Sequence, residues 1–109
     1  MFGRSRRAAR TLASHMDALR HTMDQVLLNQ GRLLAAQHRE NGSRRLQDHE
    51  FTVFSQWGED GILQRLVSVI HLRHRTFIEF GVEDFREANC RLLLEKDNWR
   101  GFVMDGSTE

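Results

Sequence analysis

Residues 76–107, TFIEFGVEDFREANCRLLLEKDNWRGFVMDGS, run as a strand, a glycine turn, a helix and a second strand ending in an acid. That order is the opening half of a nucleotide-binding α/β unit, and it restricts the fold more than any other feature of the chain. Thr76–Phe80 is β-branched and aromatic around one acid, and Gly81 closes it where a turn needs freedom in φ. Within residues 88–96, Cys90, Leu93 and Leu94 recur at three-to-four spacing, which predicts a short helix packed on the sheet through that face. Asn98 and Gly101 bracket Trp99 as a turn. Phe102, Val103 and Met104 then form a short strand of the buried type, delivering Asp105 to its carboxyl end, where open α/β sheets bind their ligands.

The residue types at that end suit a definite chemistry. A glycine after the first strand lets a ligand approach the backbone, and the start of the following helix offers free N–H groups. Asp105 lies 24 positions beyond Gly81, close to the roughly 20-residue offset at which dinucleotide folds place a ribose-binding acid. GVEDF lacks the three glycines of G-x-G-x-x-G, and Glu83 and Asp84 would repel a pyrophosphate, so a zwitterionic or cationic ligand fits better than NAD. The same residues admit plainer readings. Glu79 fits a pairing with Arg75 or Arg100, Asp105 followed by Gly106 is also an ordinary turn, and Trp57 and Trp99 fit packing positions.

Two segments, FSQWGEDGILQRL at residues 54–66 and the stretch from Phe77 to residue 107, together resemble the start of the FkbM-type S-adenosylmethionine-dependent methyltransferases. That family tends to carry Ser-Gln-x-Gly-[Glu/Asp]-Asp, then an acid-x-Gly strand end, then a Trp-[Arg/Ser/Lys]-Gly turn leading to a second acid. The resemblance implies that Glu79 and Gly81 hold the methionine portion of S-adenosylmethionine and that Asp105 binds the adenosine ribose. It implies cofactor- or substrate-side capping for Ser55, Gln56, Gly58, Glu59 and Asp60. Val82 and Glu83 stand where many relatives have Ala and Asn, a departure that bears on the geometry of the glycine turn. The implied fold is α/β: a helical arm followed by the first, incomplete half of a Rossmann-like methyltransferase domain. The implied reaction is methyl transfer to an acceptor oxygen, on a sugar or related metabolite, with the later strands, acceptor pocket and base beyond Glu109. A chain holding only that half is expected to be inactive alone.

Ahead of this unit lies a different pattern. Leu12, Met16, Leu19, Met23, Val26, Gln30 and Leu33 follow alternating steps of four and three, the seam of a coiled coil, and Leu27 and Leu34 widen the stripe. Three heptads are marginal as an isolated helix, so the stripe needs burial. Docking on the following domain and self-association through residues 12–34 both supply it, with docking favoured. A non-catalytic assembly module carrying a degenerate α/β unit is therefore the rival functional reading. Residues 39–50 are polar around Asn41-Gly42-Ser43 and read as a linker. The chain thus divides into a basic tail and amphipathic helix over 1–38, a linker over 39–50, and a partial α/β domain over 51–109. Glu59 to Ile70 reads as an amphipathic helix with Ile62, Leu63, Leu66, Val67 and Ile70 on one side and Asp60 near its positive end.

Charge separates the same parts. Residues 1–46 carry nine arginines against Asp17, Asp24 and Glu40, a net of +6, while residues 47–109 carry a net of −5. A basic arm can meet nucleic acid, anionic lipid or the acidic part of its own chain. No RNA-binding signature, zinc-finger spacing or aromatic interleaving accompanies the arginines, so nucleic-acid binding is not expected. Nothing approaches a membrane span, and MFGRSRRAAR, with no apolar run after it, reads as a frayed, solvated terminus. The single cysteine, Cys90, excludes an internal disulfide and agrees with a reducing, cytoplasmic setting; its default role is a buried thiol. His71 and His74 have helical chelate spacing but sit among Arg73 and Arg75 with no third ligand, so no metal is expected.

Overall fold

The computed structural model describes residues 2–106; Met1 and the end of the second-strand segment from residue 107 lie outside them. In chain order the elements are helix α1 (Phe2–His38), a 3₁₀ turn (Leu46–His49), helix α2 (Glu59–Val69), strand β1 (Thr76–Phe80), helix α3 (Arg91–Asp97) and strand β2 (Arg100–Met104). At 1.5 Å per residue, α1 is about 55 Å long. It accounts for the 64 Å long axis of the molecule.

The helix begins at Phe2, so the basic segment expected to fray is helical, in keeping with the high helix propensity of its arginines and alanines. α1 docks on the domain by one face only. Leu27, Leu28, Leu34 and Ala35 pack against a core of Phe51, Val53, Phe54 and Leu92. The docking positions are therefore those that widened the stripe, together with their neighbours. The seam itself, at Leu12, Met16, Leu19, Met23, Val26 and Leu33, remains between 54% and 72% exposed.

The strands form a two-stranded parallel sheet in the register Thr76↔Arg100 through Phe80↔Met104. Gly81 extends the ladder by one bond, donating its N–H to the Met104 carbonyl at 2.7 Å. The crossover is α3, shorter and later than the spacing of its leucines predicts. It buries Arg91, Leu92 and Leu93, while Leu94 is exposed and Cys90 is the residue before the first turn. Leu92 turns toward α1, where Gly31 leaves it room: a Cβ at Gly31 would lie 3.0 Å from Leu92 Cδ1 and 3.1 Å from Val53 Cγ2. Asn98 ends α3 in the left-handed region at φ 58°, and the Trp99 N–H reaches back to the Leu93 carbonyl, turning the chain into β2. Trp99 is buried and Trp57 is 74% exposed, so only the former is a packing residue. Phe77 and Glu79 are half-buried, but Ile78, Phe80 and Phe102 on the sheet are 62–68% exposed.

Candidate functional site at the carboxyl edge of the sheet

Because β1 and β2 run parallel, their carboxyl ends share one edge of the sheet. Glu79 is the penultimate residue of β1 and sits beside Val103; Gly81 follows β1, and Asp105 follows β2. The three residues assigned to the cofactor are thus brought to one edge. Gly81 has φ 70°, and a Cβ there would meet nothing within 4 Å, so its backbone is open to an approaching group.

Glu79 is not paired with Arg75 or Arg100. Its two carboxylate oxygens accept the backbone N–H groups of Cys90 at 2.7 Å and Asn89 at 2.9 Å. These two N–H groups immediately precede α3, so Glu79 holds the entry to that helix from the neighbouring strand. With the Cys90 thiol as a third donor, one acceptor position of the carboxylate remains for a further group. The same contact fastens the loop at residues 81–90 across the edge. That loop is strained: Glu83 and Phe85 have φ of 51° and 63°, and a bulky residue at positive φ is uncommon. Two contacts hold it there: the Phe85 ring stacks on Phe77 with centroids 6.1 Å apart, and Val82 is buried.

The Cys90 thiol sits against this carboxylate. Burial, then the negative charge of Glu79 and its hydrogen bond to the thiol, then the charge of Asp60, push its pKa from 9.0 up to about 12. A thiol so placed stays protonated and is a poor nucleophile.

The motif at residues 55–60 forms a closed hydrogen-bonded loop ahead of α2. Asp60, 1% exposed, accepts from the backbone N–H groups of Val53, Phe54 and Ser55 through one oxygen, at 2.7, 2.7 and 2.9 Å. Ser55 returns the contact, its Oγ accepting the Asp60 N–H at 3.0 Å. Glu59 accepts the Trp57 N–H at 2.7 Å. Gly58 precedes the helix at φ 95°, where a Cβ would lie 2.9 Å from the Glu50 side chain, so glycine is required. Gln56 is exposed. The motif therefore organises its own backbone, and Ser55 and Asp60 are occupied inside it. The second Asp60 oxygen is buried with no hydrogen-bond partner among the described residues.

Arg91 is the residue that the sequence reading passed over. It is 8% exposed, pairs with Asp24 of α1 at 3.2 Å and Glu95 at 3.4 Å, donates to the Arg86 carbonyl at 2.7 Å and lies 3.9 Å over the Phe54 ring. It ties the arm, the motif and the loop over the edge to one helix. The signal available in the sequence was an arginine directly before three leucines, on the buried side of a helix.

Asp84 is paired with Arg86 at 3.6 Å, and the remaining acids Glu79, Glu83 and Asp105 around an open backbone turn favour a ligand with a cationic centre and hydroxyl donors over a phosphate. His71 and His74 lie in the irregular segment between α2 and β1, outside any helix that would give them chelate geometry. No described helix is long and apolar enough to cross a membrane. Comparison with protein families, with curated proteins and with solved structures found no match to this chain.

Proposed function

We propose that this chain supplies the cofactor-binding half of an S-adenosylmethionine-dependent methyltransferase of the FkbM type. The observation that carries the reading is the delivery of Glu79, Gly81 and Asp105 to one edge by two parallel strands. The one remaining acceptor position of Glu79, together with its charge, would take the ammonium of the cofactor's methionine portion, and Asp105 the ribose hydroxyls. The bound sulfonium supplies an electrophilic methyl group for an acceptor oxygen, on a sugar or related metabolite. Catalysis in such a site rests mainly on alignment of acceptor and methyl. The uncovered apolar residues Ile78, Phe80 and Phe102 support a sheet that continues as a Rossmann-like domain.

Calorimetric titration with S-adenosylhomocysteine tests the reading. Binding is expected in the parent chain and about tenfold weaker binding in Asp105→Ala, the loss of a charge-assisted hydrogen bond. Binding that is indifferent to that substitution removes Asp105 from the ribose.

The exposed seam of α1 supports a second reading, an assembly module that pairs through residues 12–34. Pairing through the seam is compatible with a cofactor site, since the two share no residue, but as the sole role of a degenerate α/β unit it is the rival to methyl transfer.

A further inference from the structure

The amino end of the same sheet has the opposite character. Arg75 immediately precedes β1 and Trp99 immediately precedes β2, and both line a cleft of about 270 Å³ closed by the ends of α1 and α3 and by one side of α2. Arg39, Arg65 and Lys96 line it too, and Asp97 is the single carboxylate among the described lining residues. Asp97 is occupied, accepting from Lys96 at 2.9 Å and from Gln64 at 2.9 Å. Arg39, Arg65 and Arg75 have no ion-pair partner among the described residues.

Helix dipoles explain part of this charge. α1 and α3 both end at the cleft, and a cation near a helix C-terminus is favourable, which accounts for Arg39 and Lys96. Arg65 lies inside α2 and Arg75 in the irregular segment before β1, so neither has that explanation. His38, at the end of α1, also lines the cleft, and its Nδ1 is buried with no hydrogen-bond partner among the described residues. Arginines gathered with no ion-pair partner repel one another, and an oxyanion with several acceptor oxygens relieves that repulsion while engaging the guanidinium forks.

We propose that this cleft binds a small phosphorylated ligand, recognised through Arg65 and Arg75. It lies at the opposite end of the strands from the acidic edge, so the site stands whether or not that edge takes a methyl donor. The cleft is slightly below the usual size of a small-molecule site, roughly 300 Å³ upward, which suits one or two phosphoryl groups rather than a dinucleotide.

Inorganic pyrophosphate is the probe, titrated calorimetrically into the full chain with circular dichroism confirming the fold of each variant. One equivalent is expected to bind, with affinity about tenfold lower in Arg65→Gln and in Arg75→Gln and unchanged in Arg20→Gln, which removes the same charge from the exposed face of α1. Arg75 is exposed, so its variant does not threaten the fold. No binding to the folded parent, full affinity in folded Arg75→Gln, or an equal loss in all three variants overturns the proposal. The last outcome marks general attraction to a basic surface.

Discussion

Two carboxylates that the motif resemblance placed on the ligand side also hold backbone. Asp60 gathers three N–H groups, and Glu79 gathers two. Asp60, fully buried, needs such donors, because desolvation otherwise outweighs its charge. Sequence spacing brought these acids to attention, but it could not distinguish an acid that accepts from its own chain from one that accepts from a ligand. Cys90 carries the testable consequence. Between about pH 9 and about 12 the unfolded chain loses the thiol proton and the folded chain keeps it, so this group's contribution to stability falls as pH rises through that window. At pH 8 the folded chain should react with iodoacetamide about tenfold or more slowly than the chain in denaturant, and Glu79→Gln should speed the folded reaction. Equal rates for folded parent and folded Glu79→Gln would show that the carboxylate does not govern the thiol.

At the scale of elements, hydrophobic period located most of the structure. β1 coincides with the predicted strand, α2 ends one residue before the predicted Ile70, and β2 begins two residues before the expected Phe102. α3 departs furthest, beginning at Arg91, directly after the Asn89 and Cys90 N–H groups that Glu79 holds. No local pattern encodes a cap supplied from another strand. The join between α1 and α3 combines the packing of Leu92 with Arg91, whose guanidinium meets Asp24 and Phe54 together. Arg91→Leu should destabilise the chain by roughly 2 kcal/mol, less than the full cost of breaking a buried pair because Asp24 keeps some solvent. Chemical denaturation measures it, and a double-mutant cycle with Asp24→Asn should return a coupling of about 1 kcal/mol. Strict additivity in that cycle would mean the ion pair does not hold the arm.

The whole molecule is polar in its arrangement: an acidic edge at one end of the strands, a basic cleft at the other, and a long helix whose apolar seam faces outward. Docking and self-association were alternatives for α1 in the sequence, and the structure shows docking by one face. The offset face packs on the domain and leaves the seam available. Sedimentation equilibrium should then show a concentration-dependent dimer, converted to monomer by Leu19→Glu with Met23→Glu, which place charges in the seam. A parent chain that stays monomeric at the highest concentrations removes that use of the seam. The sequence by itself located the two strands and α2 to within two residues, because periodicity, glycine turns and propensity act over a few residues. It also determined that the two strands meet as a parallel pair, since the helix between them imposes a crossover. Tertiary structure alone decided which face of α1 is buried, which acids bind backbone, and where the arginines collect. Those outcomes depend on groups distant in the chain meeting across the fold, where desolvation and hydrogen-bond geometry, rather than spacing, select the partner.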